Sequence, residues 1–515
     1  MPIVQQGSIN ATAQIVPNLF VQIVPPSILS LNGVPTNNIG IVGTASFGPV
    51  NTPIVVGNMS EYATNFGAIQ NRKFDMGTHI AMSVQQGASN FTCVRQTDGT
   101  DTAATSTGVA TCITYTVLYT GSVGNGIVVR RSAGSKVGTW RLTVSLAGFP
   151  SEVYDNIGHG LTGNAYYVAE ALAINAGANV QRGKSNLIVA TAGSGVTAVA
   201  SGIYTFTGGT DGTSEVTGMM LVGNDGSTRT GMYALRKQNC SILDVVDCDD
   251  TTQWSSIMGF AQQEAMYAIV AGPQSDTIAN AVSVKAGAGI DSPYVKVMFG
   301  DYIYWNDSAN GLIRLVSPVA VVAGILANLS PEQSSLNKLL YNIVGTQKSG
   351  QPGSNQINTY SDADLQELAL GQIDVITNPV PGGNYFGVRL GINSSSNAAE
   401  NGDNYTRLTN YIATTLNSAM GIYIGKVTNK SLLKNIRTSI LNFLNNMLFT
   451  GMLGSVDGST PFSVVCDVSN NPDSRLSLGY VQADVQVKYQ PINKEFFINL
   501  LAGQTVEVSS QNLPQ

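Results

Sequence analysis

From Val481 to Tyr489 apolar and polar residues alternate without a slip: Val481, Ala483, Val485, Val487 and Tyr489 on one side, Gln482, Asp484, Gln486 and Lys488 on the other. Strand side chains point to opposite faces in turn, so the pattern predicts a half-buried strand. Gln490-Pro491 removes a ladder donor and ends it. A second apolar segment follows, Phe496-Phe497-Ile498-Asn499-Leu500-Leu501, then a short third run from Thr505 to Val508. Unpaired strand edges are usually blunted. A chain that closes on strand after strand is expected instead to use those edges to join its neighbours. Near the other end Leu19, Val21 and Ile23 sit at strand spacing, bracketed by Pro17 and Pro25-Pro26. This thread reads as an arm, or as a loosely docked terminus.

Between these ends the pattern is that of a mixed α/β and α+β multidomain chain. Short apolar runs at Ile39–Val42, 54–56 and 91–95 predict strands, and 60–66 and 78–87 predict helices. After the Thr/Ala/Gly linker 98–108 the alternation at 113–119, 127–130 and 140–146 predicts β-structure, interrupted by one helix near 166–176. Gly208-Gly209-Thr210-Asp211-Gly212 marks a return to α/β alternation. Strands are expected at 242–246, 268–271 and 294–299, and helices at 228–237, 252–264 and 277–286. A polar stretch, 345–359, leads to the last block, where 405–419 predicts a helix and 422–426 a strand. The resulting division is an arm at 1–26, a discontinuous α/β domain at 27–95 and 201–345, an inserted β-rich domain at 96–200, a C-terminal domain at 346–501 and an arm at 502–515.

The clearest helix is 431–449, where Leu432, Leu433, Ile436, Ile440, Phe443, Leu444 and Met447 fill one broad face. Lys430, Lys434 and Arg437 stand together on one edge of it. From Asn404 to Val456 there are basic residues and no acidic one, in a chain whose net charge is −6. The stripe reads either as a solvated helix face or as one that meets an acidic partner.

Composition narrows the class. Only 11% of the 515 residues are charged, against about 25% in ordinary domains, and none precedes Glu61. A surface this poor in charge fits one covered by other subunits, or a polar extracellular β-protein. The acidic balance argues against nucleic acid or an anionic membrane as partner. Five scattered cysteines with no CxxC argue against a disulfide framework and a zinc site. No secretory pattern is visible at the N-terminus and the longest apolar run, 319–327, is too short to span a bilayer. The expectation is a chain made in the cytoplasm without a signal peptide.

Several ordered motifs together resemble the tail sheath proteins of contractile bacteriophages and related contractile injection machines. They are Ile39–Gly43 through Phe47-Gly48-Pro49 to Glu61-Tyr62 and Phe66-Gly67; Gly124-Asn125-Gly126 with Glu152–Ile157; Gly208–Gly212; Val316-Ser317-Pro318 with 321–326; and the closing order of long helix, Phe462–Cys466, Asn470-Asn471 and Gly479–Leu501. Val388-Arg389-Leu390-Gly391 and Pro491–Glu495 depart from the family pattern. The resemblance implies a C-terminal sheath core domain and a helical sleeve of hexameric rings around a tail tube, in a virion, with baseplate and terminator proteins as further partners. It also implies arm strands carrying Leu19, Val21, Ile23, Phe496, Ile498, Leu500, Val506 and Val508. The acceptor sheet would hold Val481, Ala483, Val485, Val487 and Tyr489, and the tube-facing helix Lys430, Lys434 and Arg437.

No catalytic set stands against that reading. His79 and His159 are the two histidines, and no nucleophile elbow, zinc helix, phosphate loop or dinucleotide fingerprint is present. Gly287-Ala288-Gly289 follows a predicted helix, the wrong context for a dinucleotide turn. Asp244, Asp247, Asp249 and Asp250 could hold a divalent cation, but read better as a polar strand end with Asp250 or Thr251 capping the next helix. No cofactor is expected. The competing classes are another virion shell protein and an extracellular adhesin or hydrolase.

Overall fold

A computed structural model describes residues 3–4, 21–22, 31, 33–354, 358–500 and 502. Leu19, Ile23, Val506 and Val508 lie outside the described residues. The chain forms two compact units, one of residues 35–411 with 491–515 and a smaller one of 1–34 with 412–490. In the smaller unit Ile3–Val4 (β1) and Val21–Gln22 (β2) pair in parallel, Ile3 opposite Val21.

The larger unit opens with β3 (Ile39–Gly43), β4 (Pro53–Val56), helices α1 (Met59–Phe66) and α2 (Met76–Gln85), and β5 (Phe91–Arg95). A β-rich stretch follows: β6 (Thr105–Val109), β7 (Ile113–Val117), β8 (Val128–Ala133), β9 (Trp140–Ser145), β10 (Glu152–Ile157), helix α3 (Gly163–Ala176), β11 (Ile188–Ala192) and β12 (Gly202–Thr205). It makes two antiparallel sheets, β10-β9-β8-β12 and β11-β7-β6. With α3 they close over their own core, which includes Tyr115, Leu142, Val144, Tyr154 and Tyr166. The chain then runs through α4 (Gly218–Val222), β13 (Ile242–Val245), α5 (Trp254–Glu264), β14 (Tyr267–Ala271), α6 (Ile278–Gly287) and β15 (Val295–Met298). These strands rejoin the first three in a six-stranded sheet, β15-β14-β13-β3-β5-β4, parallel except for β4.

That sheet is covered on both faces, which is why its strands read as continuous apolar runs and not as alternation. Tyr267, Ile269 and Ala271 of β14 face one core, together with helix α7 (Val319–Asn328), which is buried from Val319 to Ala327. Ala268 and Val270 face the other, with Trp254, Ile257 and Phe260 of α5. Gly324 lets α7 pass directly over α2, because a side chain there would meet the Ser83 backbone, and Ser83 Oγ donates to Ala320 C=O at 2.9 Å. A three-stranded sheet of β16 (Ile303–Asp307), β17 (Leu312–Val316) and β18 (Ile343–Thr346) adjoins, ordered β17-β16-β18. Then come α8 (Asp362–Leu370), the pair β19 (Ile376–Thr377) and β20 (Gly387–Val388), and α9 (Asp403–Met420).

Residues 362–411 group with the larger unit. The reason is a buried ion cluster. Lys296 of β15 reaches Asp374 at 2.6 Å and Asp403 at 3.1 Å, and Tyr267 donates to Asp403 at 2.6 Å. The smaller unit continues with α10 (Lys430–Phe449), β21 (Phe462–Val465), α11 (Asp473–Leu476) and β22 (Asp484–Val487).

Four expected elements differ. The strand at 481–489 shrinks to Asp484–Val487, because Asn471 takes the Gln482 backbone, accepting from its N–H at 2.6 Å and donating to its C=O at 2.8 Å. The strand at 422–426 is a 3-10 turn, Gly421–Tyr423, pinned by Tyr423 OH against Ser439 Oγ at 2.6 Å. The helix at 228–237 is one 3-10 turn, Gly231–Leu235, since Gly231 at φ 58 starts it abruptly. Phe496 to Leu500 forms no strand.

Candidate assembly site

Helix α10 is started by Asn429, whose side chain accepts from Leu432 N–H at 2.8 Å. It buries Leu432, Leu433, Ile436, Ser439, Ile440, Phe443, Leu444 and Met447, the face that the 3.6-residue period picks out. The β21–β22 hairpin belongs to the same unit. Its register pairs Phe462 with Val487, Ser463 with Gln486, Val464 with Val485 and Val465 with Asp484. One step further, Lys488 N–H donates to Pro461 C=O at 2.7 Å.

That bond fixes the phase of the ladder. Antiparallel partners exchange hydrogen bonds at every second pair, so Ser463/Gln486 and Val465/Asp484 bond inward. The backbone groups of Phe462 and Val464 then point to one outer edge, and those of Val485 and Val487 to the other. On the β21 edge, Arg437 of α10 donates from Nε to Val464 C=O at 3.0 Å. On the β22 edge no backbone partner reaches Val485 or Val487 among the described residues. Among the described residues the β22 edge is thus open, and the β21 edge is covered at one carbonyl, that of Val464.

Of the expected acceptor residues, Val485 and Val487 lie in β22 and are half-buried, while Asp484, Gln486 and Lys488 are exposed. Ala483 and Tyr489 flank the strand half-buried, and Val481 is exposed. Lys430, Lys434 and Arg437 are all exposed on α10, and Arg437 Nε also reaches the hairpin at Val464 C=O. Of the expected arm residues, Val21 lies in β2, and Phe496, Ile498 and Leu500 are 78%, 75% and 84% exposed.

Elsewhere the motifs are brought together as joints. Asn125 and Gly209, 84 positions apart, exchange two hydrogen bonds of 2.9 Å through the Asn125 amide. Asp211 accepts from Ser122 N–H and from Arg72 Nη1, both at 2.7 Å. Arg95, at the end of β5, donates to the carbonyls of Gly48 and Thr120 at 2.7 Å and of Asp211 at 3.2 Å. Burial would push the Asp211 carboxyl up, but Ser122 and the Arg72 guanidinium hold it below its ordinary value.

The acidic cluster disperses among separate partners. Asp244 and Asp247 flank the buried His79 ring at 2.8 Å and 3.0 Å. Asp249 pairs with Lys73 at 2.9 Å, and Asp250 accepts from Thr252 N–H at 3.0 Å. Burial alone would lower His79, but the two carboxylates override it and raise its pKa to about 10. His79 is therefore a buried imidazolium that donates from both nitrogens. Its role escaped the sequence reading because its partners come from a strand end 165 positions away. His159 is exposed in a loop. Among the described residues no group of His, Cys, Asp or Glu could hold a metal ion, and no helix is long and apolar enough to cross a membrane.

Solved structures supply the wider comparison. A sheath tail protein from Listeria innocua matches at TM-score 0.61 and 14% identity, over 85% of this chain and 90% of that one. The contracted sheath of PVC, an extracellular contractile injection system, matches at TM-score 0.54 and 12% identity over 96% of this chain and 99% of that one. This chain has the tail-sheath fold. A sheath tail protein from Desulfitobacterium hafniense matches likewise at TM-score 0.55 and 14% identity, over 86% and 93%. No protein-family model and no curated protein matches the sequence.

Proposed function

We propose that this chain is a structural subunit, without catalytic activity, of a contractile sheath. It polymerises as a helical sleeve of hexameric rings around a tail tube, and contracts to drive the tube through a host envelope. The observation that carries the reading is a tail-sheath fold over nearly the whole chain, with a β22 edge that meets no backbone partner among the described residues. A strand added there gains main-chain hydrogen bonds of about 0.5–1.5 kcal/mol net each. Contacts between different patches of identical subunits build stacks that need not close, and linked arms keep subunits joined through large motions. Contraction is then rigid-body movement about flexible arms.

In this reading the arms come from the N-terminal thread and from the segments after Pro491, and β22 receives one of them. Lys430, Lys434 and Arg437 face the tube. Each such exposed contact is worth about 0–1 kcal/mol, which suits a surface that lets go on firing. The partners are further copies, the tube protein, and the baseplate and terminator proteins of a virion or an extracellular contractile particle. Nucleic acid and membrane insertion have no part in it.

Electron microscopy of the purified chain tests the reading. Long tubes are expected from the full chain, and none from chains lacking residues 1–24 or those after Leu501. Regular tubes from either truncation would remove the arms from the proposal. Closed shells, or monodisperse particles at every concentration, would remove the sheath function itself.

A further inference from the structure

The segment after Pro491 lies against its own larger unit. Residues 492–496 line a groove of about 1000 Å³ whose other walls include Gln333, Lys338, Arg389 and Asn401. Ile492 is half-buried there, and Lys494 Nζ donates to Asn401 Oδ1 at 3.3 Å. Asn401 is a fixed receptor: it is buried, and its amide donates to Ser395 C=O at 2.9 Å and to Gln372 Oε1. The hold ends abruptly. Phe496, Phe497, Ile498 and Leu500 are all at least 75% exposed, and residues 491–500 make no backbone–backbone hydrogen bond among the described residues.

An extended segment carrying four large apolar side chains in water is poorly placed as an end state. One long hydrogen bond and one half-buried isoleucine hold it, fewer contacts than a strand addition would offer. We propose, resting on the sheath reading above, that this groove is a resting dock for the tail of the same chain. Docked, the tail is kept from the β22 edge of a second copy. An open β22 edge on a neighbour outcompetes the dock as copies become concentrated, so the dock sets the lag before polymerisation and not the final polymer.

The test locks and loosens the dock. In full-length chain carrying Lys494→Cys and Ala398→Cys, both on the groove, a short bis-maleimide should join the two sites within one chain; the five native cysteines are buried and stay silent. Locked subunits should form no tubes under conditions where the unreacted double variant does. Conversely, Ile492→Ser with Lys494→Ala should shorten the lag about tenfold, the equivalent of weakening a contact by about 1.4 kcal/mol. Locked subunits that polymerise at the unlocked rate would overturn the dock and leave the sheath reading intact. So would an unchanged lag in the loosened variant, or cross-links formed only between chains. If no form of the chain polymerises, the sheath reading itself fails.

Discussion

The six-stranded sheet and the β21–β22 hairpin are both made of short apolar strands, yet they treat their polar groups in opposite ways. In the sheet both faces are covered, and even the buried Lys296 is closed by Asp374, Asp403 and the Ile392 carbonyl. In the hairpin the outward face is wet, a single arginine covers one carbonyl of β21, and among the described residues no backbone group pairs the β22 edge. An isolated two-stranded sheet is marginal, so this one leans on α10. One sheet is closed on both faces by its own chain, and the other has an edge that, in the proposed reading, receives a strand from a second copy.

The largest test of that contrast is Lys296→Met. It strands two buried carboxylates and should cost about 3–5 kcal/mol, read as a fall in the urea midpoint. Lys434→Met on the exposed side of α10 should stay within about 0.5 kcal/mol. Comparable losses at the two sites would erase the distinction between a closed interior and an open surface.

Alkaline titration probes the closed region next. The His79 pKa is raised from 6.5 unfolded to about 10 folded. Its contribution is therefore complete below pH 6.5 and is lost as pH rises through 10, on the order of a few kcal/mol in all. The melting temperature should fall across that window, and His79→Gln should flatten the fall. The opposite edge belongs to Asp247: burial would push its carboxyl up, but His79 holds it below its ordinary value of 3.8. That contribution is present above 3.8 and disappears as pH falls through the lower folded value. A wild-type melt that is flat from pH 7 to 10 would remove the charged cluster from the account.

How much of this was legible in the sequence depended on whether the deciding contacts were local. The buried runs of β3 and β14, the apolar face of α10 and the half-buried alternation at Val485 and Val487 are set by spacing along one element, and spacing is visible. The ends of β22 were not, because Asn471 intervenes from a preceding loop. Nor was the place of residues 362–411, which is set by a lysine and two aspartates from three distant segments. Arg437 shows the limit most clearly: its spacing with Lys430 and Lys434 places it on the exposed stripe, but its hydrogen bond to a carbonyl 27 positions on is not visible in that spacing.

A smaller effect is expected at the joint of the β-rich stretch. Asp211→Ala frees the Ser122 N–H and the Arg72 guanidinium, at a cost of about 1–3 kcal/mol. Because the lost contacts tie Ser122 to Arg72, while the Arg95 bond to the Asp211 carbonyl is kept, hydrogen exchange should quicken at Ser122 first, ahead of β13 and β14. Uniform quickening throughout the larger unit would show that Asp211 supports the whole fold and not a joint.

The smallest change in stability should carry the most information about the open sheet. Arg437→Met removes one hydrogen bond from a half-wet site, about 0.5–1.5 kcal/mol, and should barely move the melting temperature. It also releases the outward carbonyl of Val464, which leaves the β21 edge as uncovered as that of β22 among the described residues. If strand addition at β22 builds the polymer, a second acceptor edge lets arms attach in the wrong place. Regular tubes should then give way to branched or irregular aggregates at unchanged total mass, counted by electron microscopy against light scattering. Tubes as regular as those of the native chain would mean that the arginine does not choose the edge. The asymmetry between β21 and β22 would then have to come from the arriving strand.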